Sequence, residues 1–145
     1  MYNEKLMQIF SSPKNVGIIK GADGVGEATN ALGEVSKIFI NVEDGKIAES
    51  KFKAYGNVVV IAASSVMTLV VKDKTIEEAI NITNEDIIDA LGGNISDEDI
   101  QSIVVVKDAL LLAIKNYKDK QLVEGWWLYK GIEILIPFFC VLIKY

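Results

Sequence analysis

The chain has 145 residues, of which 50% are hydrophobic and 24% charged, and its formal net charge is −5. This length and composition predict one folded domain with a hydrophobic core and exclude a disordered chain. The acidic balance, without a basic run, argues against a nucleic-acid-binding protein. There is no histidine and one cysteine, Cys140, which excludes a His-based catalytic triad, an internal disulfide and a Cys/His zinc site within one chain.

The N-terminal part of the chain predicts a short helix and then a loop. Residues 3–10 place Leu6, Met7 and Phe10 on one side of an amphipathic helix, and Pro13 follows its end. They lack the long apolar run of a signal peptide, so we expect a cytoplasmic location. Residues 15–30 are rich in glycine and lack periodicity, which predicts a long mobile loop. A phosphate cradle would need a strand before it and a helix after it, and the sequence predicts neither.

Residues 36–55 predict a β-hairpin. Apolar residues such as Ile38 and Ile40 alternate with Lys37 and Phe39, which is typical of a strand with one buried and one solvated face. Asp44-Gly45 lies between the two alternating halves and tolerates the positive φ angles of a tight turn.

Four helices are predicted after the hairpin. Residues 58–71 are almost wholly apolar, which indicates a buried helix from about Ala62, with the β-branched residues 58–61 either helical or extended. Thr75 and Thr83 each precede an acid by three residues, which predicts two capped helix starts. Gly92-Gly93 ends the second of these, and a last helix is expected from residues 96–99 to Tyr117.

The composition changes after Lys120. Residues 126–143, from Trp126 to Ile143, are aromatic and apolar, interrupted by Lys130, Glu133 and Pro137. These interruptions favour a tail that packs on the domain or on a second copy of the chain. A C-terminal membrane anchor and a tail without function remain as alternatives. Cys140 is interpreted as a buried thiol rather than as a sulfur acceptor.

Several segments carry a resemblance to a known family. They are MYNEKLMQIFSSPKNVG, VEDGKIAESKFKAYG, KTIEEAINITNEDIIDALGG and KDALLLAIKNY, in this order. The sequence resembles the IscU/NifU N-terminal family of iron–sulfur cluster assembly scaffolds over residues 1–118, and residues 119–145 form an apolar tail without a counterpart. The resemblance implies an α+β, SufE/IscU-like fold, in which an antiparallel hairpin-based sheet of about three strands is covered by helices on one face.

The family's first cysteine is deleted in this chain, and its other two cysteines and its helper Asp are replaced. Glu34 stands where the Asp is expected, one residue short of the family's pattern, Asn57 stands at the second cysteine, and Gln101-Ser102 replaces the His-Cys pair. The resemblance implies that these four positions converge. We interpret them as a hydrogen-bonded surface patch rather than a metal site, because Glu34 is the only carboxylate among them. Bulky valines at 58–60 suggest that a cluster pocket has become core.

The expected function is therefore that of a scaffold homologue in iron–sulfur cluster assembly that is not an enzyme. It is expected to be unable to hold a cluster by itself, to carry no cofactor of its own, and to act as a binding or regulatory module. The resemblance implies a cysteine desulfurase as partner, and self-association stays open. The alternative is a structural or interaction domain recruited to another role without metal, tethered to a membrane by its tail.

Overall fold

The computed structural model describes residues 2–130, with side chains up to residue 122. Within these residues, eight elements follow one another: α1 (Glu4–Ser11), β1 (Gly24–Thr29), β2 (Val35–Glu43), β3 (Lys46–Tyr55), α2 (Val58–Val70), α3 (Ile76–Ile80), α4 (Asn84–Ala90) and α5 (Asp97–Lys130). The three strands form one antiparallel sheet in the order β1-β2-β3. Helices α2 and α5 pack on this sheet, which confirms the predicted α+β fold.

The hairpin of β2 and β3 agrees with the alternation in its sequence. Asp44 and Gly45 have φ angles of 52° and 76°, as the predicted tight turn requires. Ile38, Ile40 and Phe52 are buried toward the helices. Phe39 points to the opposite face and is nevertheless only 6% exposed, because Val25 and Lys51 flank it across the strands and Lys37 lies over its ring.

The prediction of a loop over residues 15–30 is wrong for its second half, which contains β1. Glycine is depleted in strands, so the composition of this segment hides the strand. The structure shows why the glycines are there: a Cβ on Gly26 would overlap the backbone of Ala109, and one on Gly24 would overlap that of Ala113. Helix α5 can approach β1 this closely only where no side chain intervenes.

Helix α2 begins at Val58, so the extended alternative for residues 58–61 is wrong. Asn57 is its N-cap, with φ −77° and ψ −178°. Its side chain accepts a hydrogen bond from the backbone of Val60, and asparagine is among the preferred residues at this position. Thr75 and Thr83 form complete capping boxes with Glu78 and Asp86, as predicted.

Helix α5 extends to Lys130, beyond the predicted end at Tyr117, and it crosses the predicted boundary between residues 118 and 119 without a break. Residues 131–145 lie outside the described part of the chain, and so does Cys140. The predictions of a separate tail, of its packing and of a membrane anchor over residues 126–143 therefore stay predictions. Within the described residues, no helix is both long and apolar enough to cross a membrane.

Candidate functional site

Glu34 lies at the end of the short connection between β1 and β2. Asn30 shapes this connection, because its side-chain Oδ1 accepts hydrogen bonds from the backbone N–H groups of Leu32 (3.0 Å) and Glu34 (3.1 Å). Gly33 adopts a φ of 78°, which favours glycine. The connection therefore fixes the backbone from which the Glu34 side chain points into the protein, where it is only 5% exposed.

Three donors from different parts of the fold engage the carboxyl group of Glu34. Ser102 Oγ, in the first turns of α5, donates to Oε1 at 2.8 Å. Asn30 Nδ2 donates to the same oxygen at 2.9 Å. The backbone N–H of Asn57 donates to Oε2 at 3.3 Å. We call Glu34, Asn57, Ser102 and Asn30 the Glu34 cluster, and it joins the β1–β2 connection to the starts of α2 and α5.

Asn57 has a structural role in this cluster. Its Oδ1 accepts the N-cap hydrogen bond from Val60 N at 3.0 Å and lies 3.4 Å from Ser102 Oγ. The Ser102 hydroxyl has one proton, so the shorter contact to Glu34 takes it. Gly56 allows the close approach of these parts: with φ of 145°, an added Cβ would lie 2.8 Å from Val60 Cγ1 and 3.0 Å from Glu34 Cγ.

The structure does not bring Gln101 to the other three predicted positions. Its side chain is exposed and makes no hydrogen bond among those found in the described residues. It lines a shallow groove of about 260 Å³ beside Asn30, Val104 and Asp108. Of the four positions that were predicted to converge, Glu34, Asn57 and Ser102 therefore lie together and Gln101 does not.

Sequence reasoning missed three residues around the cluster. Asn30 is a typical turn-forming residue, and Asp99 lies in the acidic first turn of α5. Asp99 Oδ1 lies 3.5 Å from Asn57 Nδ2. Tyr2 lies near both acids. Burial raises the pKa of its hydroxyl, and the negative charges of Asp99 and Glu34 raise this pKa further. No signal in the sequence alone places Tyr2 at this position.

The geometry limits what the Glu34 cluster can do chemically. The centre of the cluster is buried rather than a surface patch, since Ser102 is fully buried and Glu34 nearly so, whereas Asn30 and Asn57 are half-buried. A substrate cannot reach the Ser102 hydroxyl, which is already bound to Glu34. Both Glu34 oxygens accept hydrogen bonds, and the described residues contain no group of three or more Cys, His, Asp or Glu that could hold a metal. Val59 and Val60 are fully buried behind the cluster, and Val58 is half-buried.

Comparisons with known proteins place this architecture. The N-terminal domain of a nitrogen-fixing NifU-like protein from Brucella abortus has the same fold, with a TM-score of 0.70 at 15% identity, over 81% of this chain and 94% of the other. A small α+β domain with the fold of a NifU-like N-terminal domain is thus defined. The model of the NifU-like N terminal domain family matches residues 1–124, so the chain belongs to this family.

Two curated relatives agree with this membership. The iron–sulfur cluster assembly scaffold protein IscU 1 of Archaeoglobus fulgidus is 41% identical over 118 residues, which cover 81% of this chain and 76% of the relative. The iron–sulfur cluster assembly scaffold protein IscU of Aquifex aeolicus is 39% identical over 123 residues, covering 83% and 78%. The relatives are named as scaffold proteins and not as enzymes, and the resemblance seen in the sequence is confirmed.

This membership corrects the expectation that no cofactor is associated with the chain. The named relatives are iron–sulfur cluster assembly scaffolds. For these relatives the cluster is therefore the product being assembled. The described residues do not fit such a cluster as sole ligands, because clusters are held chiefly by cysteine thiolates and the only cysteine, Cys140, lies outside them.

Proposed function

We propose that this chain is an IscU/NifU-like scaffold homologue that acts in iron–sulfur cluster assembly as a binding or regulatory module and does not hold a cluster through its own side chains alone. In this role the chain engages a cluster, or a protein that carries one, while thiolates of another protein supply the missing ligands. The proposal includes no enzymatic step of its own.

One observation carries this proposal: the Glu34 carboxyl group is engaged on both oxygens by Ser102, Asn30 and Asn57. The resemblance implies that Glu34 stands at the position of the family's helper Asp, and that Asn57 and Ser102 stand at the positions of two of its cysteines. Oxygen and amide groups that are bound to one another are poor ligands for iron in a sulfide cluster, which prefers soft thiolates. Opening the cluster would also leave buried donors without acceptors, which costs about 1–3 kcal/mol for each group.

The packing behind the Glu34 cluster supports the same proposal. Val59 and Val60 are fully buried and Asn57 caps the helix on which they lie. Burying a valine side chain stabilises a fold by about 1.5 kcal/mol or more. Space for an inserted cluster would have to be made at the expense of this core.

The resemblance makes a cysteine desulfurase the partner to test first. We expect the full-length chain to co-elute with a purified desulfurase in size-exclusion chromatography. After anaerobic incubation with ferrous iron and sulfide, followed by desalting, the isolated chain should retain no stoichiometric visible absorption band. A double variant, Asn57→Cys with Ser102→Cys, is expected to retain at most a minor fraction of iron, because two thiolates within a packed core are too few.

A stoichiometric cluster on the isolated natural chain would overturn the proposal. Cys140→Ser, measured beside it, would show whether the single thiol is responsible. Absence of desulfurase binding, with the chain folded by circular dichroism, would instead support the alternative role as a recruited interaction domain without a link to sulfur.

A further inference from the structure

Two lysines face each other on the side of the sheet that is turned away from α2 and α5. Lys37 of β2 and Lys53 of β3 are direct cross-strand partners, and like charges at such positions repel. The single ion pair found among the described residues joins Lys51 to Glu49 at 3.9 Å, so neither facing lysine is neutralised by it. The fold therefore keeps an unfavourable charge pair at the surface.

The next cross-strand pair on the same face is Val35 and Tyr55. Tyr55 is 76% exposed, although an aromatic ring of this size gains much from burial. Lys37 is held on the sheet, since its Nζ lies 5.5 Å from the centre of the Phe39 ring. We call Val35, Lys37, Lys53 and Tyr55 the lysine face. Tyrosine is among the residues enriched at protein-binding surfaces, and the two lysines beside Tyr55 provide the local positive charge of this face.

We propose that the lysine face is a docking surface for a partner protein that presents carboxylate groups around an apolar side chain. Carboxylates would neutralise Lys37 and Lys53 together, and the apolar side chain would cover Tyr55 and Val35. The inference does not depend on the role of the Glu34 cluster in iron–sulfur chemistry.

Charge complementarity favours a protein over a nucleic acid as the occupant. The whole chain carries a net charge of −5, and its long-range repulsion grows with the charge of the partner, so a polyphosphate is repelled more strongly than a protein surface with a few carboxylates. Glu27 of β1 is the cross-strand partner of Lys37 on the other side, so the positive charge is confined to a small area. Two lysines neutralise too few phosphates for stable nucleic-acid binding, whereas a local carboxylate pair matches them in number.

A titration followed by nitrogen–proton correlation spectra tests the proposal on the full-length chain. The probe is a synthetic peptide with several glutamates around one leucine, and a peptide with glutamine in place of glutamate is its control. We expect the glutamate peptide to shift the amide signals of Lys37, Lys53 and Tyr55. The Lys37→Gln/Lys53→Gln double variant should raise its Kd about tenfold, as rim charges set specificity and salt dependence.

Lys72→Gln/Lys118→Gln is the matched control, since both residues are exposed and lie on other parts of the surface; it should leave the Kd within about twofold. An equal loss of binding in this control would show that the peptide responds to the net charge of the chain and not to the lysine face, and would overturn the proposal. Absence of shifts with the glutamate peptide would overturn it as well. If a single-stranded RNA oligonucleotide or phosphatidylglycerol vesicles bound at the same amides more tightly than the glutamate peptide, the proposal of a protein partner would be overturned.

Discussion

The Glu34 cluster and the lysine face adjoin each other at the end of β3, yet the polar groups of the cluster are hydrogen-bonded to one another and those of the face are not. In the Glu34 cluster, the carboxyl group accepts hydrogen bonds on both oxygens and is 5% exposed. On the lysine face, Lys37 and Lys53 oppose each other without an ion pair in the described residues. Only Gly56 separates Tyr55 of the lysine face from Asn57 of the cluster.

The difference follows from burial. A buried polar group without a partner costs a large desolvation free energy, so a fold satisfies it internally. At the surface, water screens two facing ammonium groups, and their repulsion costs only a few tenths of a kcal/mol. The cluster is therefore closed by its own bonds, and the lysine face remains available to a partner. The Ser50 hydroxyl departs from this rule, since it is buried and has no partner among the described residues.

The largest effect is expected from removing the acceptor at the centre of the cluster. Glu34→Ala leaves the Ser102 hydroxyl and the Asn57 N–H buried without their acceptor, and should lower the free energy of unfolding by about 3–4 kcal/mol. Urea unfolding followed by circular dichroism measures it. Glu43→Ala, at the exposed end of β2, is the control and should change stability by less than about 0.5 kcal/mol. Equal effects of the two variants would mean that the cluster is not closed.

Two glycine substitutions, at residues 56 and 33, should have smaller effects on stability, and their difference separates steric crowding from backbone strain. Gly56→Ala places a Cβ 2.8 Å from Val60 Cγ1 at a φ of 145°, whereas Gly33→Ala meets no atom within 4 Å at a φ of 78°. We expect a loss of about 2–3 kcal/mol for Gly56→Ala and about 1 kcal/mol for Gly33→Ala, from thermal unfolding. A larger loss of stability for Gly33→Ala than for Gly56→Ala would contradict the explanation that close packing between Glu34 and α2 requires glycine at residue 56.

Much of this fold could be predicted from local signals. The hairpin follows from alternation and Asp44-Gly45, and α3 and α4 follow from the Thr75 and Thr83 caps, because these features act within a few residues. Strand β1 could not be predicted, since Gly24 and Gly26 weaken its local preference and are explained only by contact with α5. Tertiary packing overrides propensity at this point.

The candidate site was less accessible to sequence reasoning. Glu34 and Ser102 are 68 residues apart along the chain, and only the family resemblance suggested that they meet. Nothing in a single sequence shows that Gln101 turns outward while Ser102, one residue later, turns inward; this depends on the rotation of α5 about its axis. The N-cap role of Asn57 was missed because the helix was expected to begin later.

The smallest effect concerns the lysine face and has the opposite sign. Lys53→Glu converts the like-charged pair with Lys37 into an opposite-charged one, so it should raise the free energy of unfolding by about 0.5 kcal/mol in low salt. Because the pair is exposed to solvent, the gain should fade as salt shortens the Debye length. Lys72→Glu, on an exposed turn after α2, makes the same change in net charge without a facing lysine. A gain of equal size in both variants would show that the gain does not come from the facing lysine, and a loss in Lys53→Glu would show that the two ammonium groups do not repel each other across the strands.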